Sequence, residues 1–304
     1  MRPPDVVAPP PASPRPAIVA EPAPARSVPR GPLATARKYN RIFRASLVER
    51  MTYRGDFLLG TLLRFLPMIT TILLWKAVYD GTRKPDPVID GFRYREMIAY
   101  LLLTHISRMF SSMPGLAAGI ARDIREGTLK RYLIQPMDLI GYLLSYRVAH
   151  KVAYIATSAL PYGILFFVCR GFFDGLPGPM TLAAYALSLV LSFLIGFFFE
   201  ASVGMVGFWF LEVTSLLYIV MTLSFFISGQ MFPLDLLPEP WAGFLKWLPF
   251  QYMAYFPAVV FLGKVQGSEL AGHLLRELAW AIGFMFLARG LYRVGLKRYS
   301  AYGG

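Results

Sequence analysis

Ser228–Pro257 reads SGQMFPLDLLPEPWAGFLKWLPFQYMAYFP, an apolar, aromatic stretch cut by Pro233, Pro238, Pro240, Pro249 and Pro257. Proline inside a helix removes a backbone hydrogen bond and presses its ring into the preceding turn. The stretch is therefore not one spanning helix, although apolar runs long enough to cross a bilayer flank it on both sides. Non-helical backbone is tolerated at membrane depth only where protein or a water-filled cavity satisfies its polar groups. Residues 230–262 thus read as a partly inserted, re-entrant helical hairpin at one membrane face. Trp241, Trp247, Tyr252 and Tyr255 suit a membrane interface whatever the function.

The rest of the chain agrees on class. Of 304 residues, 56% are hydrophobic, 15% aromatic and only 16% charged, with a mean hydropathy of +0.48. That is too much apolar surface for a soluble fold, and the expectation is an all-α polytopic membrane protein. The net charge of +13 does not point to nucleic acid, because Lys and Arg flank apolar runs instead of interleaving with aromatics on a soluble domain. A single cysteine, Cys169, excludes an intrachain disulfide and a cysteine-cluster metal site.

Apolar length predicts six spans, at about 57–79, 96–119, 138–168, 180–201, 206–229 and 270–292, within a membrane domain covering 57–298. The second is the weakest, interrupted by His105, Arg108 and Pro114. Before the first span, residues 33–56 have helical periodicity: Ala36, Tyr39, Phe43, Leu47 and Met51 share a face that Arg37, Arg41 and Arg44 avoid. This suits an amphipathic interfacial helix, with a soluble helix packed on a partner as the alternative. Residues 1–32 are rich in Pro and Ala, contain no signal-peptide core, and read as a disordered tail. Cations gather before the first span, in the loop after the second (Arg122, Arg125, Lys130, Arg131), and after the last (Arg293, Lys297, Arg298). These regions, with both termini and the 299–304 tail, are expected in the cytoplasm. The proline-cut segment then falls on the outer face.

Motifs for chemistry are missing. Gly263-Lys264-Val265 lacks the hydroxyl residue and upstream glycine of a phosphate-binding loop. His105, His150 and His273 are not at metal-ligand spacing with acids. Ser228-Gly229 lacks the glycine two residues upstream that an intramembrane serine protease motif has, since Phe226 stands there. Neither a catalytic residue nor a bound cofactor or metal is expected. Charges within apolar runs cost about 2.5–3.5 kcal/mol each at a helix centre. Arg64 sits near the cytoplasmic end of span one and can snorkel. Arg108, near the middle of span two, has no such escape and must face a bundle interior, a partner or a wet pathway. Glu200 and Glu212 fall near the cytoplasmic ends of spans four and five; they read as solvated turn residues, or as a proton or substrate site. Gly115 and Gly119 form a GxxxG at the end of span two, and Gly204 and Gly207 a weaker pair.

The loop IARDIREGTLKRYLIQPMD, Ile120–Asp138, carries a more specific signal. Ile120, Ile124, Leu129 and Leu133 form a short apolar edge among alternating charges, and Pro136 ends the helical pattern. Such an element is either a solvated loop helix or a docking surface.

In three places the chain resembles the membrane subunits of ABC-2-type exporters, the ABC-2 family transporter proteins. They are the basic helix before span one, the REGTLKRYLIQP loop with Gly127, Leu129, Tyr132, Leu133 and Pro136, and the SGQMFPLDLLPEPW…KWLPF segment with Gly229, Pro233, Pro238 and Pro249. The resemblance covers roughly residues 35–298; the Pro/Ala tail is not part of it. It implies a permease in the cytoplasmic (inner) membrane, built from two six-span subunits, identical or related. Each subunit docks one copy of a separate cytoplasmic ATPase that carries the ATP and Mg. By the same resemblance the coupling loop, 120–137, would use Arg122, Ile124, Arg125, Glu126, Gly127, Leu129, Arg131 and Tyr132 against the ATPase. Gly229, Pro233, Pro238, Trp241 and Pro249 would shape the outer re-entrant lid. Arg108 and Glu200 remain pathway or interface candidates. The alternative is a membrane-embedded enzyme acting on a lipid-linked substrate through Arg108 with His105 or Glu200.

Overall fold

The computed structural model describes residues 32–52, 54–84, 86–210 and 213–299. The Pro/Ala tail, Glu212, the side chain of Arg64 and the last five residues lie outside the described set. The chain divides into two compact units, Met1–Lys38 and Tyr39–Gly304. The described part of the first unit is only the opening of α1, Pro32–Thr52.

Eleven α-helices are described: α1; α2, Arg54–Gly81; α3, Tyr94–Ser111; α4, Leu116–Arg125; α5, Lys130–Leu133; α6, Leu139–Val168; α7, Pro179–Met205; α8, Thr214–Ile227; α9, Trp241–Trp247; α10, Tyr255–Phe261; and α11, Gly267–Arg298. The only described sheet is a two-residue hairpin, β1 Val88–Ile89 against β2 Phe92–Arg93. The protein is thus all-α. Three helical stretches are long and apolar enough to cross a membrane: Leu139–Phe172, Pro179–Phe208 and Gly267–Arg298.

Among the described residues these three stretches coincide with three of the six expected spans; the other three are not shown as spans, and two of them depart from a single long helix. The run 96–119 is not one helix. Pro114 disfavours helical backbone at the residue before it, Ser112 is extended, and Gly115 sits at φ +75 as the cap of α4. The chain therefore leaves helical geometry after Ser111 and restarts as α4. The predicted fifth span is helical only over the 14 residues of α8, about 21 Å at 1.5 Å per residue against a hydrocarbon core of about 30 Å.

α7 is the axis of the fold. Gly178 caps it and Pro179 opens its first turn, where a missing N–H costs nothing. α3, α4, α10 and α11 all pack on it. Small residues recur every fourth position along it, at Ala184, Ser188, Ser192 and Gly196, and again at Gly204 after Glu200, which lets backbones approach closely. A Cβ at Gly196 would stand 1.9 Å from the Ser111 carbonyl oxygen, and one at Gly204 would stand 2.7 Å from that of Ala117. Gly207, just beyond, lies against Ala121 in the same way. The expected Gly115/Gly119 ridge does not form, because Gly115 is outside the helix and neither glycine meets a neighbour.

The proline-cut segment breaks as its composition demands. Short 3-10 turns at Leu234–Leu236 and Pro249–Met253 alternate with α9 and α10. It is also deep. Tyr252, Met253, Phe256 and Val259 are all at most 2% exposed. The Tyr100 hydroxyl donates to the Gly229 carbonyl near the start of α3, while the Met253 carbonyl accepts from Ser111 Oγ at 2.8 Å at its end. The segment therefore accompanies α3 for about 16 Å of helix axis.

Candidate functional site

The site forms where α3 breaks. Interrupting a helix exposes backbone groups that need partners, and here charged side chains from two neighbouring helices supply them. Lys151 of α6, only 8% exposed, donates to the carbonyls of Met109 at 2.5 Å and Ser112 at 2.6 Å. Arg147, one turn earlier on α6, donates to the Pro114 carbonyl at 3.0 Å. From α7, Glu200 Oε1 accepts the Met113 N–H at 3.0 Å. Glu200 is thus not a solvated turn residue: its Oε1 closes the break, and its Oε2 is buried without a hydrogen-bond partner.

Arg108 joins this cluster from the last turn of α3. Its Nη1 donates to Ser111 Oγ at 3.2 Å, and Ser111 passes the contact to Met253 at the tip of the re-entrant segment. Two cavities meet at Arg108. One, of ≈ 200 Å³, is also lined by Ser112, Glu200, Leu217, Ser224 and Met253. The other, of ≈ 310 Å³, is lined by Thr104, His105, Tyr162, Gln230 and Met231. Of the two pathway residues singled out in the sequence, the structure brings both to one place, and it adds Lys151 and Arg147. Their signal was present: each is a cation inside an apolar run. Glu277 of α11 is a further buried acid, 0% exposed, accepting from Ser188 Oγ of α7 at 3.2 Å.

The proline-cut segment is fixed near its start and closed by an ion pair and a hydrogen bond within it. Gly229 has φ +76, and an added Cβ would lie 2.8 Å from Tyr255 Cβ and 2.9 Å from the Tyr100 hydroxyl, so the tight turn requires glycine. Asp235 pairs with Lys246 at 2.5 Å and accepts from the Tyr255 hydroxyl at 2.8 Å. The Pro238 carbonyl accepts the Trp241 N–H at 2.9 Å to start α9. Trp241 is exposed, whereas Pro249 is buried and opens the second 3-10 turn.

At the opposite end of α3 and α7 lies the loop read as a docking element. It is not one helix from Arg122 to Tyr132: α4 stops at Arg125, Gly127 reverses the chain at φ +68, and α5 begins at Lys130. α4 starts at Leu116, earlier than its charge pattern suggested, and buries Leu116, Ala117, Ile120, Ala121 and Ile124. Its inward face meets α7 and Val206–Phe208. Ile124 at 7% and Leu129 at 1% exposure belong to the chain's own core, so they are not free to meet a partner. The outward side carries Arg122, Arg125, Glu126 and Arg131, with Leu133 39% and Ile134 84% exposed. Arg131 bridges Asp123 at 3.2 Å and lies over the Tyr132 ring at 4.7 Å. Burial, with Asp123 nearby, pushes the Tyr132 hydroxyl above its ordinary pKa, and Arg131 partly reverses this.

These features define a helical membrane protein whose broken helix and proline-cut segment meet at a charged cluster within the bundle. The chain belongs to the ABC-2 family transporter proteins, whose family model matches residues 65–303. That match takes in the loop and the proline-cut segment but not α1. No curated protein matches the chain.

Proposed function

We propose that this chain is the permease subunit of an ABC-2-type exporter in the cytoplasmic membrane, moving its substrate with ATP hydrolysed on a separate subunit. The family match over 65–303 carries the reading. The nearest approach to a phosphate-binding loop, Gly263-Lys264-Val265, lacks the hydroxyl residue and the upstream glycine. In this reading the chain is not itself an enzyme, and ATP and Mg bind the partner. Two permease subunits, identical or related, would each engage one ATPase. Positive residues on the α4–α5 loop and after α11 put that end, with both termini, in the cytoplasm, and the re-entrant segment on the outer side.

In this reading the exposed residues of the α4–α5 loop are the ones that dock. Arg125, Glu126, Lys130 and Arg131 would supply polar contacts, and Leu133 with Ile134 the apolar ones. At the other end of the route, Arg108 and Glu200 would meet the polar part of the substrate between the two cavities. Co-purification tests the coupling: Ile134→Asp should release the ATPase while the permease stays monodisperse, and wild-type recovery of the ATPase with both Ile134→Asp and Leu133→Asp would defeat it. For orientation, single cysteines placed from Phe232 to Phe256 in a Cys169→Ser background should label from outside. Labelling only from the cytoplasm would invert the topology.

A further inference from the structure

A third, larger cavity lies at the loop end of the bundle and has no part in the proposed transport route. It measures ≈ 690 Å³ and opens between the α3–α4 turn, α4, α5 and the first half of α6. That volume is within the range of small-molecule sites, about 300–1,000 Å³. Three guanidinium groups line it, those of Arg122, Arg131 and Arg147. Of the carboxylates lining it, Asp123 is committed to Arg131 at 3.2 Å and to the Thr128 hydroxyl at 2.9 Å. The other, Glu49, is exposed on α1. Arg122 has no carboxylate within ion-pairing distance among the described residues, and Arg147 is held in place by the Pro114 carbonyl at 3.0 Å.

The same cavity is lined by Tyr132, Tyr142 and Tyr146. Tyr132 and Tyr142 lie 5.4 Å apart, and Tyr142 and Tyr146 stack at 6.4 Å. Tyrosine offers an apolar ring and a polar tip, which places it at the boundary between headgroups and acyl chains. Arginine matches the geometry of phosphate oxygens and pairs with them by two hydrogen bonds at once. The cavity sits where α1 meets the beginning of the long apolar α6. A ligand there that presents a phosphate to arginine and an apolar stem to tyrosine is a phospholipid.

We propose that this cavity binds the phosphate headgroup of an anionic membrane phospholipid, held by Arg122 and Arg147 against the Tyr132–Tyr142–Tyr146 wall. The cavity shares Arg131 with the proposed docking face, but the two residues that hold the lipid, Arg122 and Arg147, are not among those docking contacts, and lipid retention is read independently of ATPase binding. The test is native mass spectrometry of the full-length protein released from detergent containing either phosphatidylglycerol or phosphatidylcholine. The expected result is retention of phosphatidylglycerol over phosphatidylcholine, with Arg122→Ala weakening it about tenfold, the loss of one charge-assisted hydrogen bond. Arg122→Glu should abolish it, while Arg125→Ala, an exposed arginine that does not line this cavity, should leave it unchanged. Arg122 is exposed, so its variants should elute as the native species does. Equal retention of the two lipids, or equal losses from Arg122→Ala and Arg125→Ala, would overturn the proposal. Displacement by excess inorganic phosphate would also overturn it, in favour of a soluble anion. So would loss of ATPase binding by Arg122→Ala with lipid retention intact, which would give the cavity to the ATPase interface.

Discussion

Gly196→Ala tests whether α7 holds the break in α3 by close backbone contact. The new Cβ would stand 1.9 Å from the Ser111 carbonyl oxygen, and ordinary contact begins at 3.4 Å, so the end of α3 must retreat by about 1.5 Å. The obstacle is backbone and cannot rotate away. A shift of that size also breaks two hydrogen bonds nearby: Met113 N–H to Glu200 at 3.0 Å, and Ser111 Oγ to the Met253 carbonyl at 2.8 Å. A bond to a charged group contributes about 1.5–3 kcal/mol and a neutral one about 1 kcal/mol. Against this, alanine gains about 1 kcal/mol over glycine in a helix interior. The net loss is about 2–3 kcal/mol, which should lower the midpoint of thermal aggregation, followed by fluorescence-detected gel filtration, by on the order of 5 °C. Gly283→Ala on α11 is the matched control, because its Cβ meets nothing within 4 Å, and it should be neutral or stabilising. The reasoning fails if Gly196→Ala melts with the wild type, or if both variants lose equally.

Other expectations follow from the same contacts. Gly229→Ala should destabilise by about 1–3 kcal/mol, from backbone strain alone before any clash, whereas Gly91→Ala, also at positive φ but in open space, should lose less; limited proteolysis within 230–250 would report the difference. Lys151→Met, which leaves two carbonyls of the break without a donor, should cost about 1–3 kcal/mol per orphaned group, measured as the same melting midpoint. Leu129→Asp buries a charge in the core and should abolish folded protein, while Ile134→Asp should leave the gel-filtration profile unchanged. Arg289→Ala breaks an ion pair with Asp138 that is largely open to solvent, so it should cost no more than about 1 kcal/mol.

Much of the fold was legible because it rests on local chemistry. Five prolines dictate a broken segment whatever surrounds it. The charge pattern of 120–138 located a loop helix, and the order of these elements matched a family. What remained hidden was pairing at a distance. Glu200 reaches an N–H 87 residues away, and Lys151 and Arg147 reach carbonyls 39 and 33 residues away. A charge in an apolar run announces that it needs a partner, but not which backbone group will be vacant. Likewise the alternation of apolar residues along the loop showed that Ile124 and Leu129 share an edge, while only the packing of α4 onto α7 decided that the edge faces inward. The sequence by itself determined that the chain is a helical membrane protein with a proline-broken segment before its last span. Tertiary structure decided that this segment runs beside α3 to the point where α3 breaks, because only there do a missing helical turn, two charged neighbouring helices and a glycine-lined approach coincide.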